Sequence, residues 1–415
     1  MSPASKTCIR AAVAVETIVG GGLAHYTEDL DRAMRLHAGP NQVLEGLPFT
    51  SPLLHAGGTR GRKYVGFLRK SALVKRCVQS LRRFRKQVPW PLADAWAERW
   101  RATPDDIVVV VPHVVINDEG KLDCYYAAIA GRTFVWVIHD LHALHFPDQW
   151  RDVDVQLLKK RFAFLGQSAS QIIVHNEFTA QDVSEKLGIE RSRISTVLLP
   201  SFFSESAFAS SHESDEKCLA SLDIKRPYAL WASSSTYSHK NHERLLHAWR
   251  ILADRGCSLQ LVCTGSREPR WDQVSSTIQK LRLDSHVRFT GTISDAALAA
   301  VVRNAHLAIC PTLFEGGGPG PAAEAMMAGI PLTVSDIPQC RQLFNMRTDL
   351  CAFFDPYKPE AIAGAVENIL LDYQAATDRA DAARTKYPMM RSWEGAASQY
   401  WKAVEAARQC PVVEL

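Results

Sequence analysis

The sequence lacks the marks of several protein classes. No run of about 18 apolar residues occurs, so no membrane-spanning helix is expected. The apolar stretch after Arg10 is broken at Glu16, too short for the core of a secretory leader. The ten cysteines form no CxxC pair, and Cys263 and Cys310 lie within apolar runs, where a thiol behaves as a small hydrophobe. A reduced, cytoplasmic setting is therefore expected. Neither charge sign dominates, the net charge being +4. There is no GxxxxGK[ST] phosphate loop and no GxSxG nucleophile elbow. Gly20, Gly22 and His25 do not complete a GxGxxG dinucleotide fingerprint, although Glu45 stands near the distance expected of its ribose-binding acid.

What is present is an ordinary globular composition over 415 residues, 47% hydrophobic and 22% charged. That length predicts two domains. Short β-branched runs at 11–15, 107–111, 134–138 and 172–174 read as parallel strands covered on both faces. Helical segments at 155–165 and 177–187 alternate with them, and a glycine turn precedes a helix-spaced series, Leu23, Tyr26, Leu30 and Met34. A second alternation has strands at 228–232, 259–263, 287–289, 307–310 and 332–334, with helices at 241–253 and 295–304. The fold class is thus α/β: two Rossmann-like, doubly wound parallel-sheet domains facing a central cleft. The expected organisation is an N-terminal Rossmann-like domain over 1–200, a polar linker over 201–226 and a second Rossmann-like domain over 227–388. A last helix over 389–415, with Ser392 as its N-cap, would pack back toward the N-terminal domain.

Open parallel sheets bind ligands at the carboxyl ends of their strands. At such an end stands CPTLFEGGGPGPAAEAMMAGIP, residues 310–331. Glu315 precedes Gly316, Gly317, Gly318 and Gly320; Pro321 suits the start of a helix that stops at Gly329. A loop without side chains before a helix lets backbone N–H groups approach a phosphate, and Glu324, about a turn into the helix, suits sugar or ribose hydroxyls. A second strand end leads through Ser233, Ser234 and Ser235 to Ser238-His239-Lys240-Asn241, with Asn241 as a candidate N-cap. There the Lys240 ammonium and a helix dipole can share a diphosphate.

These segments resemble the retaining glycosyltransferases of GT-B architecture, glycosyltransferase family four (glycosyl transferases group 1). The resemblance is carried by IHDLHALHFPDQW at 138–150, QIIVHNEFTAQDV at 171–183 and SHKNHERLL at 238–246, followed by VRFTGTISDAALAAVVRNAHLAICPTLFEG at 287–316 and FFDPYKPEAIAGAV at 353–366. It implies that Lys240 holds the donor diphosphate, that Glu315 contacts the donor sugar near the reacting carbon, and that Glu324 binds the ribose. It further implies that His139 lies beside the reaction centre, that Thr292 and Ile293 meet the base, and that Gly21 and Gly22 line the diphosphate side. Gly316, Gly317, Gly318 and Ser235 complete the implied donor site. The chain departs from the pattern twice: one extra residue stands between Glu315 and Glu324, and Ser235 occupies a place where many members carry arginine.

The resemblance implies hexose transfer, with mannose or a related deoxysugar as the first candidate, from a nucleoside diphosphate sugar to a saccharide or lipid-linked acceptor in cell-surface polysaccharide or lipopolysaccharide synthesis. No metal and no cofactor beyond the donor are expected. The alternative is a non-catalytic, membrane-associated nucleotide-sugar-binding subunit, and a sugar-nucleotide epimerase of the same architecture is a third reading. Lys and Arg crowd residues 60–101, opposed only by Asp94 and Glu98, around an apolar series Phe67, Val74, Val78, Leu81 and Val88. That pattern fits either a surface helix drawn to anionic lipid at the inner face of the plasma membrane or a core-packed helix with a charged outer face. No nucleic-acid reader motif accompanies it. Asp29–Asp31 and Asp152–Asp154 have DxD spacing but read as solvated helix faces. His139, His142 and His145 read as one cleft histidine and two incidental ones.

Overall fold

The computed structural model describes residues 8–13, 22–45, 105–111, 131–150, 152–200, 212–235, 237–267, 270–343, 350–390 and 392–410. Gly21 and the basic stretch 60–101 lie outside them. In the first domain the described strands are β1 (Ile9–Val13), β2 (Gln42–Leu44), β3 (Ile107–Val111), β4 (Phe134–Val137), β5 (Gln171–Val174) and β6 (Ile194–Thr196), all parallel in the order β2-β1-β3-β4-β5-β6. The second domain repeats the scheme with β7 (Tyr228–Trp231), β8 (Gln260–Cys263), β9 (Val287–Phe289), β10 (Leu307–Cys310), β11 (Leu332–Ser335) and β12 (Ala352–Phe354), in the order β12-β11-β10-β7-β8-β9. This is the doubly wound order whose direction reverses between β7 and β10. The two loops leaving that reversal therefore diverge and open a crevice.

Burial explains why these runs are strands: β3, β4, β5, β7 and β10 are buried at every residue, as expected where helices cover both faces. The described helices are α1 (Gly22–Leu36), α2 (His142–His145), α3 (Asp152–Ser168), α4 (Glu177–Leu187), α5 (His212–Ser221), α6 (His242–Asp254), α7 (Trp271–Lys280), α8 (Asp295–Arg303), α9 (Gly320–Ala328), α10 (Pro338–Leu343), α11 (Pro359–Leu371), α12 (Tyr373–Met390) and α13 (Trp393–Gln409). None is long and apolar enough to cross a membrane.

Helix ends follow local chemistry. Asn176 accepts the Thr179 N–H at 2.7 Å to start α4, and Gly188, with φ at 68°, ends it. Gly329 ends α9 in the same way, and Ser392 caps α13 by accepting from Gly395 N–H at 3.0 Å. Asn241 departs from expectation. It precedes α6 at φ 60°, but its side chain makes no cap; its amide donates instead to the carbonyls of Pro311 and Pro356, each at 2.8 Å. The residue thereby ties the β7 loop to the β10 loop, which an exposed capping residue would not do.

The stretch expected as linker is partly a structural element. Helix α5 lies within 201–226, and its buried Asp215 pairs with Arg303 of α8 at 2.6 Å. Leu219 and Ile224 join the core of the second domain. A polar outer face hid this helix from a reading based on apolar spacing.

Helix α13 lies on the first domain's sheet, with Ala397, Tyr400, Trp401 and Val404 against Tyr26, Leu30, Met34 and the sheet residues Val108, Val110, Val135 and Ile173. Trp401 is fully buried, and its indole N–H donates to the Met34 carbonyl at 3.1 Å. The chain thus returns from the second domain to complete the first domain's core. Trp401→Ala should cost about 3–5 kcal/mol, the range for a buried Trp truncated to Ala. Denaturant unfolding of the full chain measures it, and a loss under about 1 kcal/mol would contradict the packing.

Candidate functional site

The second domain's reversal point positions two loops. The loop after β7 ends in a single 3-10 turn, Ser238–Lys240, and the loop after β10 carries Glu315. Lys240 Nζ donates to Glu315 Oε1 at 2.6 Å, both side chains being largely buried. The buried Cys310 thiol at the end of β10 is pushed up first by burial and then by Glu315 and Glu324, with Lys240 opposing. Lys240, Glu315 and Glu324 therefore surround one strand end.

Glu324, on the first turns of α9, is buried, and burial, with Asp295 adding, raises its carboxyl to about 7. Its Oε2 has no partner among the described residues. A buried carboxyl oxygen without a donor costs on the order of 1–3 kcal/mol.

The glycine loop crosses to the first domain. Asn176 and Thr179, at the start of α4, both donate to the Gly316 carbonyl, Thr179 Oγ1 at 3.0 Å. A Cβ at Gly316 would collide with the His139 carbonyl oxygen and Asp140, and one at Gly317 would press on Leu199 and His175. Gly318 adopts φ 96° beside Leu343. The loop is thus pinned by its carbonyl, while the N–H groups of Gly316, Gly317 and Gly318 meet no acceptor among the described residues. Unpaired amides beside a helix start form an anion cradle.

Across the cleft His139 bonds through Nδ1 to His175 Nε2 at 3.0 Å, and His175 Nδ1 bonds to the Val197 carbonyl at 3.0 Å. The carbonyl only accepts, so His175 carries its proton on Nδ1. The ring-to-ring bond joins that buried imidazole to His139. Tyr26 meets both rings edge-on, at 4.9 and 5.4 Å between centroids.

Comparison with known proteins fits this geometry. Residues 220–386 match the model of the family glycosyl transferases group 1. The chain has the GT-B fold, and the family match falls within its second domain. An MMP alpha-(1->4)-mannosyltransferase of Mycolicibacterium hassiacum is 27% identical over 176 residues, covering 41% of this chain and 42% of that protein. The match thus spans less than half the length of that relative. HepE of Anabaena, solved with UDP and glucose, superposes with a TM-score of 0.68 at 12% identity over 96% of this chain and 99% of that one. WaaG, a glycosyltransferase involved in lipopolysaccharide biosynthesis, gives 0.61 at 14% identity over 95% and 99%.

The remaining expected residues sit as follows. Thr292 is exposed just beyond β9, and Ile293 packs partly on the core. Ser235 Oγ donates to the Arg267 carbonyl at 2.8 Å, which turns its hydroxyl toward the neighbouring loop. Gly22 is the first residue of α1. Glu45 is held by Arg10 Nε at 2.9 Å, and Asp29 and Asp31 pair with Arg32 and Arg35 on their own helix.

His142 and His145 are not incidental. His142 meets His239 of the second domain at 4.3 Å between ring centroids and also contacts Tyr237 and Phe314. His145 bonds Asp182 at 2.6 Å and lies on Phe314. These rings, with Phe146 and Phe178, form an aromatic seam between the domains. Spacing every third residue was the visible signal, but its partners come from a distant segment. Asn176, Thr179 and His175 were missed for the same reason.

Burial lowers His239 to about 2, with Lys240 and His142 adding, and burial also lowers His142. Both rings are therefore neutral at pH 7. Their folded-state values lie below the unfolded value of about 6.5, so their contribution is complete above that pH and is lost as pH falls toward the folded values. Stability of the full chain should decline below about pH 6.5, by up to about 1.4 kcal/mol per pH unit for each ring. Urea unfolding at pH 7.5 and 5.5 reads the slope. The same slope in His239→Asn as in the parent would exclude this source.

Proposed function

We propose that the chain is a retaining glycosyltransferase that moves a hexose from a nucleoside diphosphate sugar to a saccharide or lipid-linked hydroxyl. The observation that carries the reading is the Lys240–Glu315 pair at the strand reversal, beneath three unpaired glycine amides and beside the buried Glu324. A cation, an amide cradle and a buried acceptor for hydroxyls are what a nucleoside diphosphate sugar requires, and the similarity to HepE, solved with UDP and glucose, supports the same ligand class.

The reaction follows from the charges. As the bond from the sugar anomeric carbon to the phosphate oxygen breaks, negative charge grows on the leaving diphosphate. Lys240 and the amides of Gly316, Gly317 and Gly318 stabilise it in a site from which the closed domains exclude water. Glu315, released from Lys240, faces the oxocarbenium-like sugar, and His139 lies beside the reaction centre. The acceptor oxygen bonds to the same face of the anomeric carbon, and its proton passes to the departing phosphate oxygen, so configuration is retained. The protein groups named supply this chemistry without a metal. The mannosyltransferase relative favours mannose as the transferred sugar, and WaaG favours surface-polysaccharide or lipopolysaccharide assembly as the setting.

A product assay pairing GDP-, UDP-, ADP- and dTDP-sugars with saccharide and lipid-linked acceptors tests the reading. Lys240→Ala should reduce transfer roughly 10²–10³-fold, as loss of a group acting on developing charge does, and Glu324→Ala should weaken donor binding, both with unchanged far-UV spectra. Parental rates in both variants would overturn the site. Donor binding without turnover on any acceptor would assign a nucleotide-sugar-binding subunit instead.

Glu324 also makes donor affinity depend on pH. Ribose hydroxyls donate to the ionised carboxylate, and its folded value of about 7 means that ionisation is completed only above neutrality. Donor binding measured by calorimetry should strengthen from pH 6 to pH 8, and Glu324→Gln should flatten that profile. An unchanged profile in the variant would remove Glu324 from the ribose.

A further inference from the structure

The first turn of α4 directs its hydrogen-bonding groups out of its own domain. Asn176 caps the helix with Oδ1, which accepts the Thr179 N–H at 2.7 Å. That bond fixes the orientation of the side-chain amide, so Nδ2 is the atom that meets the Gly316 carbonyl and donates to it. Thr179 Oγ1 donates to the same oxygen at 3.0 Å. Between them the Phe178 N–H, one of the donors that a helix start leaves without an intrahelical acceptor, donates to Gln342 Oε1 of α10 at 3.1 Å. Asn176, Phe178 and Thr179 therefore all end on the second domain. Capping alone does not require this: aspartate would cap α4 equally well but would set a carboxylate against the Gly316 carbonyl. Asn176 and Thr179 are each only 2% exposed, so solvent does not compete for that oxygen.

Tethering a carbonyl sets the amide that follows it. Peptide groups are planar and trans, so the Gly316 C=O and the Gly317 N–H point in opposite directions. The carbonyl points at the start of α4; the Gly317 N–H therefore points away from it, and this N–H meets no acceptor among the described residues. A run of glycines would otherwise sample many backbone directions, and the two donors remove that freedom. The loop is confined on other sides as well, since a Cβ at Gly316 would collide with the His139 carbonyl oxygen and Gly318 lies on Leu343 of α10. Lys240, Glu315 and Glu324 all belong to the second domain, whereas the aim of this cradle amide is set from the first.

We infer that Asn176 and Thr179 are positioning residues of the donor site: by holding the Gly316 carbonyl they aim the Gly317 amide, so that the second domain captures a nucleoside diphosphate fully only when α4 is docked on the glycine loop. The assignment rests on the donor site proposed above and adds to it a dependence on the first domain. Both side chains act through that peptide rather than on the diphosphate itself.

Calorimetric titration of the full chain with UDP, GDP, ADP and dTDP tests this. Thr179→Val removes one donor at nearly constant shape, and Asn176→Ser keeps a cap for α4 while withdrawing the amide. The double variant should bind the nucleoside diphosphate that the parent selects roughly tenfold or more weakly, as expected for the loss of two ordinary hydrogen bonds to one acceptor. Thr179→Ser, which retains the hydroxyl, should keep the parental affinity. A merely structural role would lower the melting temperature and leave affinity below the transition unchanged; that result, or equal loss in Thr179→Ser and Thr179→Val, overturns the assignment. Should the double variant not fold, the two single variants give the same readout, each with a smaller loss. Absence of binding of all four nucleotides by the parent would instead overturn the donor site and this assignment with it, so the two failures are distinguishable.

Discussion

The carbonyl of Gly316 is the point on which the site's architecture turns. Two donors from the first domain hold it, and the backbone of His139 lies so close that any side chain at this position is excluded. Because that peptide is fixed, its neighbour Glu315 is delivered to Lys240, and the amides that follow are left facing away from the tethered oxygen. A glycine here therefore serves contact between domains as well as approach to a ligand. The expectation of a free phosphate loop captures only the amide half of this arrangement; the carbonyl half belongs to the domain interface.

The aromatic seam works with that tether. His142 and His239 bury ring against ring where two lysine- or arginine-bearing surfaces would repel, and neutrality is the condition for doing so. Apolar rings, chiefly Phe314 and Phe146, fill the remaining contact. Phe314 precedes Glu315 directly, so the same short segment anchors the seam with one side chain and presents the carboxylate with the next. Helix α13 binds the arrangement from outside, since a chain that completes the first domain's core after leaving the second limits how far the two can separate.

The fold was legible where burial is continuous. The runs at β3, β4, β5, β7 and β10 are apolar throughout because both faces are covered, and each stood out as a strand. The unrecognised strands are β2, β6 and β12, three residues long and at sheet edges; in β2 and β6 partial exposure admits Gln42, Ser195 and Thr196, and in β12 the apolar run Ala352–Phe354 is too short to stand out. In the site, Lys240, Glu315 and Glu324 could be named because they flank strand ends and helix starts, which are local features. The partners of those residues were not readable: Asn176 and Thr179 are 140 and 137 residues away from Gly316, and nothing in one segment announces the other. The short α5 is hard to see in the sequence because its buried Asp215, paired with Arg303, is polar and Leu219 alone within it joins the core.

The pairing of Lys240 with Glu315 also bears on how a donor enters. A largely buried ammonium left without a partner would carry a desolvation cost, and Glu315 offsets it before any ligand arrives. On the function proposed above, an incoming diphosphate would displace that carboxylate, exchanging one anion for another around the same cation. The exchange would free Glu315 for a sugar with developing positive charge, so that one movement would transfer the cation to the leaving group and the anion to the sugar. Ser235 is directed to the Arg267 carbonyl and contributes no charge, so that proposal places the electrostatic load on this lysine and the amides beside it. On the same proposal, alternation of Lys240 between two anionic partners couples donor capture to bond cleavage.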